Sequence, residues 1–222
     1  MGDRSFNNAN ARVLVAPGDT ALGRLLVKLI EAEGRGIIAA FEGEIPGTGE
    51  DEHDTLLLQR KWNRRSLLSA RNLVLEGLNA LEEINVAIVI HECRQDERSI
   101  HELSPTSIER IIDDSVKGTF FLLRELMSYF VRKGTGTVAM VHYSPGDYTK
   151  LPLDAALSAG FYAATDSLST LYQNEAITIN GFECSRERPE EFAGYILQTL
   201  SGKAATTNGK WYRYGAMARL FH

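Results

Sequence analysis

The segment NVAIVIH (residues 85–91) carries five apolar residues in an unbroken run, Val86 to Ile90. A strand with one wet face alternates apolar and polar residues. A run without alternation needs cover on both faces, which is the situation of strands in a parallel sheet packed between helices. RVLVA (12–16), GIIAAFE (36–42) and GTVAMVHY (136–143) have the same character. Segments of helical periodicity stand between them. ALGRLLVKLIEAEG (21–34) is closed by Gly34. SLLSARNLVLEGLNALEE (66–83) places Leu67, Val74, Leu78 and Leu81 on one stripe. SIERIIDDSVKGTFFLLRELMSYFVRKG (107–134) puts Ile108, Ile111, Ile112, Val116, Leu123, Met127 and Phe130 roughly on one side. TLLLQ (55–59) and ITINGFEC (177–184) read as further strands, DAALSAGFYAATDSLSTLYQNEA (154–176) and PEEFAGYILQTLSG (189–202) as helices, and KWYRYG (210–215) as a last strand. This alternation predicts an α/β domain over residues 1–222, a Rossmann-like, doubly wound parallel sheet with helices on both faces.

Composition narrows the function classes. The net charge is −5 and no basic run stands out, which argues against nucleic acid and anionic membrane surfaces as partners. No apolar run approaches the roughly 20 residues of a membrane span, and the polar first residues lack a signal-peptide pattern, so a cytoplasmic location is expected. The two cysteines, Cys93 and Cys184, are far apart, and no HxxxH or HExxH spacing occurs. His91, Glu92 and Cys93 are consecutive, and consecutive strand residues point to opposite faces, so they read as a strand end. No metal is expected.

Taken in order, the elements resemble the short-chain dehydrogenase/reductase family over nearly the whole chain. The firmest anchors are RIIDDSVKGTFFLLRELMSYFVRKGTGTVAMV, which looks like the family's fifth helix and fifth strand, and ITINGF, which looks like its sixth strand. The resemblance implies a fold that binds NAD or NADP and interconverts an alcohol and a carbonyl. It also implies a TGxxxGxG loop, an NNAG strand end, and a catalytic Asn, Ser, Tyr and Lys, the last two in YxxxK.

Position by position, the chemistry implied by the resemblance is missing. In VLVAPGDTALGRLL the family's threonine and first glycine fall on Ala16 and Pro17, and the middle glycine on Ala21; only Gly23 remains. Pro17 offers no N–H, Ala21 adds a Cβ where phosphate approaches bare backbone, and Asp19 brings negative charge to the helix start, where it is expected to cap the helix itself. The loop is either a distorted phosphate site or a turn capped by its own side chains. Glu42, at a strand end, is a weak candidate for a ribose contact. The aspartate beside the adenine corresponds to Arg60 or its neighbours in QRKWN, and NNAG corresponds to Val89–Glu92. Ser115 stands for the asparagine and Ser144 for the serine. Leu157 and Phe161 stand for the tyrosine and lysine, and neither moves a proton. Tyr129 and Lys133 form the sole YxxxK but lie on the wrong element, and Tyr148 and Lys150 have the wrong spacing. Cys184 is followed by SRER and then Pro189, too short for the substrate lid such enzymes carry.

With loop, acid/base pair and lid all altered, the sequence points to a pseudoenzyme with no cofactor, partnered in a hetero-oligomer, a heterotetramer, by a catalytic short-chain dehydrogenase. The resemblance implies pairing through the fifth and sixth helices and the C-terminal tail. Interface candidates are Ala156, Ala159, Gly160 and Ala163, whose small side chains allow close helix approach, with Leu123, Met127, Trp211 and Phe221; the alternative is that the helix residues pack only on their own sheet. Two other readings stay open: a nucleotide- or protein-binding regulator, and a dehydrogenase with groups relocated to His142, Tyr143 or Ser144.

Overall fold

The computed structural model describes residues 11–43, 57–93, 98–146, 151–202, 204 and 206–215. Seven parallel strands form one sheet, in spatial order β3-β2-β1-β4-β5-β6-β7. They are β1 (Val13–Ala16), β2 (Ile37–Phe41), β3 (Leu57–Lys61), β4 (Val86–Glu92), β5 (Gly136–Tyr143), β6 (Ile177–Cys184) and β7 (Trp211–Arg213). The order runs outward from β1 on one side and outward from β4 on the other. The chain therefore reverses direction across the sheet between β3 and β4, leaving a crevice at the carboxyl ends of β1 and β4, where open α/β sheets bind ligands.

Helices α1 (Ala21–Ala32) and α6 (Pro189–Leu200) cover one face, and α2 (Leu67–Leu81), α4 (Gly118–Lys133) and α5 (Pro152–Leu171) the other. Strand alternation sorts the side chains between two cores. On β4, Val86, Ile88 and Ile90 face α1 and α6, while Ala87 and Val89 face α2, α4 and α5. On β5, Ala139, Val141 and Tyr143 take the first side and Val138 and Met140 the second. This parity decides where the residues beyond the cores point: His91, Cys93, His142 and Ser144 toward the α5 layer, Glu92 toward α1.

The helix expected over 107–134 is α3 (Pro105–Ile112) continuing through a π-helical turn, Asp113–Lys117, into α4. Ser104 caps its start and Gly134, at φ 73°, closes its end. The π turn inserts an extra residue into the period and rotates one half of the helix against the other. That is why the expected single stripe divides: Ile111, Leu123, Met127 and Phe130 are buried, but Ile112 and Val116 are exposed. On α2 the buried stripe is Ala70, Leu73, Val74, Gly77 and Leu81, and Leu67 faces solvent. A Cβ at Gly77 would stand 3.1 Å from Ile38 Cδ1, so the absence of a side chain sets how closely α2 rests on β2. The third strand lies two residues later than expected, because β3 is a half-exposed edge strand with little apolar signal; residues 55 and 56 lie outside the described residues. Among the described residues no helix is long and apolar enough to cross a membrane.

Candidate functional site

The loop after β1 builds a turn closed by its own groups. Thr20 is the N-cap of α1, its hydroxyl accepting from the Gly23 N–H at 3.1 Å. Gly18 N–H donates to the Ala40 carbonyl at 2.6 Å, lashing the turn to β2. Contrary to the expectation from sequence, Asp19 does not cap the helix. Its carboxylate accepts from the Glu42 N–H at 2.9 Å, at the end of β2 where a coenzyme ribose would lie, and Thr20 has taken the capping role. Pro17 is buried and Ala21 exposed. Gly23 remains for packing reasons, since a Cβ there would collide with the Pro17 carbonyl.

A helix N-terminus still attracts an anion, and here the anion is Glu92. From the last position of β4 its carboxylate accepts from Thr20 and from the Leu22 backbone N–H. Burial pushes the Glu92 carboxyl above its usual range, with those two bonds and Arg24 pulling it back. An internal carboxylate thus sits where a pyrophosphate would, at the strand-end position for which the family resemblance implies glycine.

The side of the crevice toward β3 is also packed with side chains. Trp62, just beyond β3, donates its backbone N–H to the Phe41 carbonyl at 2.7 Å and is 2% exposed. The Arg64 guanidinium lies over the Trp62 ring, 5.3 Å from its centroid, and pairs with Glu42 at 3.5 Å. Glu42 is therefore committed to Arg64. A Cβ at Gly118 would stand 2.5 Å from Arg64 Cβ, so the start of α4 is cut back to admit this arginine. Among the described residues, the pocket at this point, lined by Pro17, Thr20, Trp62, Arg64, His91 and Ser115 among others, has a volume of about 40 Å³. That is space for little more than water, against the roughly 300–1,000 Å³ of small-molecule sites.

At the other end of the crevice, Leu157 and Phe161 are buried, 8% and 6% exposed, and project from α5 toward the sheet. Phe161 stacks on His91 with ring centroids 5.2 Å apart. Ser144 is fully buried and its hydroxyl makes no hydrogen bond. Ser115 lies in the π turn, its carbonyl accepting from the Thr119 hydroxyl at 2.7 Å. Tyr143 points to the opposite face and stacks on Phe192, 6.0 Å between centroids, so it cannot act with His142.

His142 sits in a constellation that consecutive-residue reasoning missed. His91 and Cys93 are two apart and share a face, and His91 pairs in register with His142 on β5. One ligand atom from each of the three, all buried, lies within 4.8 Å of the others. Cys93 Sγ is 3.7 Å from His142 Nε2 and 3.3 Å from Ser158 Oγ, and Tyr162 OH is 3.2 Å from His142 Nδ1. Burial drives both imidazoles neutral, His91 down to about 4 and His142 to about 3, with Arg64 adding to the first shift and His91 to the second. The legible signal was the His-x-Cys spacing at a strand end together with a histidine at the matching height of the next strand.

The interface candidates separate. Ala156, Ala159, Gly160 and Ala163 form an exposed stripe on α5, and a Cβ at Gly160 would meet open space. Leu123 and Met127, expected at an interface, are 2% and 3% exposed; they fill the core between α4 and the sheet and offer nothing to a neighbour. Trp211 is also held internally. It covers Gly181, lies 4.5 Å from the Tyr162 ring, and donates to Asp166 at 2.7 Å. Phe221 lies outside the described residues, as do Tyr148 and Lys150.

The architecture is that of the short-chain dehydrogenases/reductases. A short chain dehydrogenase from Bacillus anthracis str. 'Ames Ancestor' superimposes with a TM-score of 0.78 at 17% identity, covering 94% of this chain and 95% of that one. A short chain dehydrogenase from Mycobacterium smegmatis gives 0.77 at 15% identity, covering 94% and 93%. The 3-ketoacyl-(acyl-carrier-protein) reductase from Brucella melitensis, whose structure is complexed with NADH, gives 0.75 at 11% identity, covering 92% and 96%. At these identities the likeness is one of fold. The sequence matches no family model and no curated protein.

Proposed function

We propose that this chain is a non-catalytic subunit that pairs with a catalytic short-chain dehydrogenase and supports it through the outer faces of α4 and α5. The observation that carries the reading is that, among the described residues, the pocket beside Glu92, Trp62 and Arg64 measures about 40 Å³, with Leu157 and Phe161 buried where the resemblance implies the acid/base pair. A chain that fills its coenzyme seat with its own side chains has no room for a hydride donor.

The outer helix face supports the second half of the proposal. Ile112, Val116 and Phe120 recur at four-residue steps, 42%, 38% and 50% exposed. Ile112 ends α3, Val116 lies in the π turn that α5 contacts, and Phe120 is on α4, which shares a layer with α5 and its small-residue stripe. Apolar and small residues together suit close packing against a partner's helices. The assembly proposed is a heterotetramer. The first system to test is the alcohol dehydrogenase that oxidises hydroxybenzylsuccinyl-CoA, a heteromeric enzyme with an inactive partner.

Co-expression with a neighbouring dehydrogenase that retains TGxxxGxG and YxxxK tests the reading. The expected result is a stable complex, lost in Gly160→Leu. A self-sufficient homo-oligomer that never retains a dehydrogenase would sink it.

A further inference from the structure

We propose that His91, Cys93 and His142 bind a single Zn²⁺ ion, with the Ser158 hydroxyl as the nearest fourth donor, tying β4, β5 and α5 together at the carboxyl end of the sheet. The inference stands apart from the proposed function, since it concerns the other side of β4 from Glu92 and requires neither coenzyme nor partner.

Three observations converge on it. The first is the donor set. One thiol and two imidazoles make a nitrogen–sulfur site that favours Zn²⁺ over the oxygen-seeking Mg²⁺ and Ca²⁺. The second is geometry. With Zn–S about 2.3 Å and Zn–N about 2.0–2.1 Å, tetrahedral ligands stand about 3.6 Å apart. Cys93 Sγ and His142 Nε2, at 3.7 Å, are already at that spacing. The widest spread in the trio, 4.8 Å, closes by roughly 1 Å with small rotations of the side chains.

The third is the state of the histidines. His91 is 7% exposed, and its buried Nε2 has no hydrogen-bond partner among the described residues, an arrangement that is costly unless a ligand makes use of the ring. His142 has Nδ1 against the Tyr162 hydroxyl and Nε2 against Cys93. An outer oxygen that takes one ring N–H, leaving the other nitrogen's lone pair inward, is the usual arrangement of a metal-bound histidine. A bound ion takes neutral imidazoles and a thiolate, and the Cys93 thiol releases its proton to solvent as the Zn–S bond forms. The site is closed, with Phe161 stacked over His91, which fits a structural ion better than a catalytic one.

The test is a Zn²⁺ titration of chelator-treated, folded chain, followed by calorimetry and thermal unfolding, with Co²⁺ as a spectroscopic substitute. The expected result is one saturable site, a raised Tm, and a thiolate-to-Co²⁺ charge-transfer band. Cys93→Ser and His142→Gln should each abolish the band and weaken binding beyond the roughly 10–100-fold that losing an outer hydrogen-bond partner costs. Cys184→Ser should change neither. If Cys93→Ser does not fold, alkylation of Cys93 in the folded Cys184→Ser protein serves instead, and Zn²⁺ should slow it. Absence of saturable binding overturns the proposal. So does binding that survives in His142→Gln without a thiolate band, which would assign the ion to surface groups such as His101.

Discussion

The carboxyl-end crevice and the outer face of α4 and α5 belong to the same layered sheet, yet they have been treated in opposite ways. Among the described residues, the groups around the crevice are paired with one another. Glu92 holds the N-terminus of α1, Asp19 takes the backbone at the end of β2, Arg64 pairs with Glu42, and Trp62 fills the space beside them. On the outer face Phe120 is 50% exposed and Gly160 leaves open space where a side chain would be. A chain whose surfaces had merely drifted would show no such division. On the proposed function, the exposed outer face is the surface a partner would cover.

Perturbing the two regions should have different consequences. The largest effect is expected at Trp62. Trp62→Ala removes a nearly fully buried indole and should cost about 3–5 kcal/mol in denaturant unfolding. It should not by itself create coenzyme binding, because Glu92 still holds the α1 N-terminus; NADH binding by the variant would break the comparison.

Acid should be the next largest lever. His91 and His142 have folded pKa values lowered to about 4 and about 3, below the unfolded value near 6.5. Their neutral forms are favoured by the fold. That contribution is therefore complete above pH 6.5 and is lost as pH falls toward 4, by on the order of a few kcal/mol. Glu92 works in the opposite direction, since its raised pKa penalises the charged carboxylate as pH rises. Unfolding midpoints of the metal-free chain between pH 7 and 4 should fall, and fall less in His91→Gln.

Smaller effects sharpen the contrast. Thr20→Ala removes the cap of α1 and should cost about 1 kcal/mol, readable as a shift in denaturant midpoint at constant slope. Ala163→Glu, on the exposed stripe, should change chain stability by no more than about 0.5 kcal/mol while preventing partner binding in a pull-down. Equal losses of stability in crevice and stripe variants would contradict the division.

Much of the architecture was legible because burial on both faces leaves continuous apolar strands such as Val86–Ile90. β3 was displaced because an edge strand carries no such mark. The π turn at Asp113–Lys117 was not legible, since a one-residue phase shift is invisible to a pattern averaged over a whole helix. That is why Ile112 and Val116, expected on one side with Phe130, lie exposed; Leu123 and Met127 were expected at an interface from the family resemblance, and they lie in the core. In the site, the substitutions at Pro17, Ala21, Leu157 and Phe161 could be read directly. What replaced the lost contacts could not: Glu92 reaching Leu22, and Arg64 lying across Trp62, are long-range pairings that only the strand register brings together. The same register joins His91 to His142.

The central claim is that the chain occupies its own coenzyme seat. Calorimetric titration of the folded chain with NAD(H) and NADP(H) tests it most directly. The account predicts no binding heat up to millimolar coenzyme. A saturable isotherm in the micromolar range would contradict it.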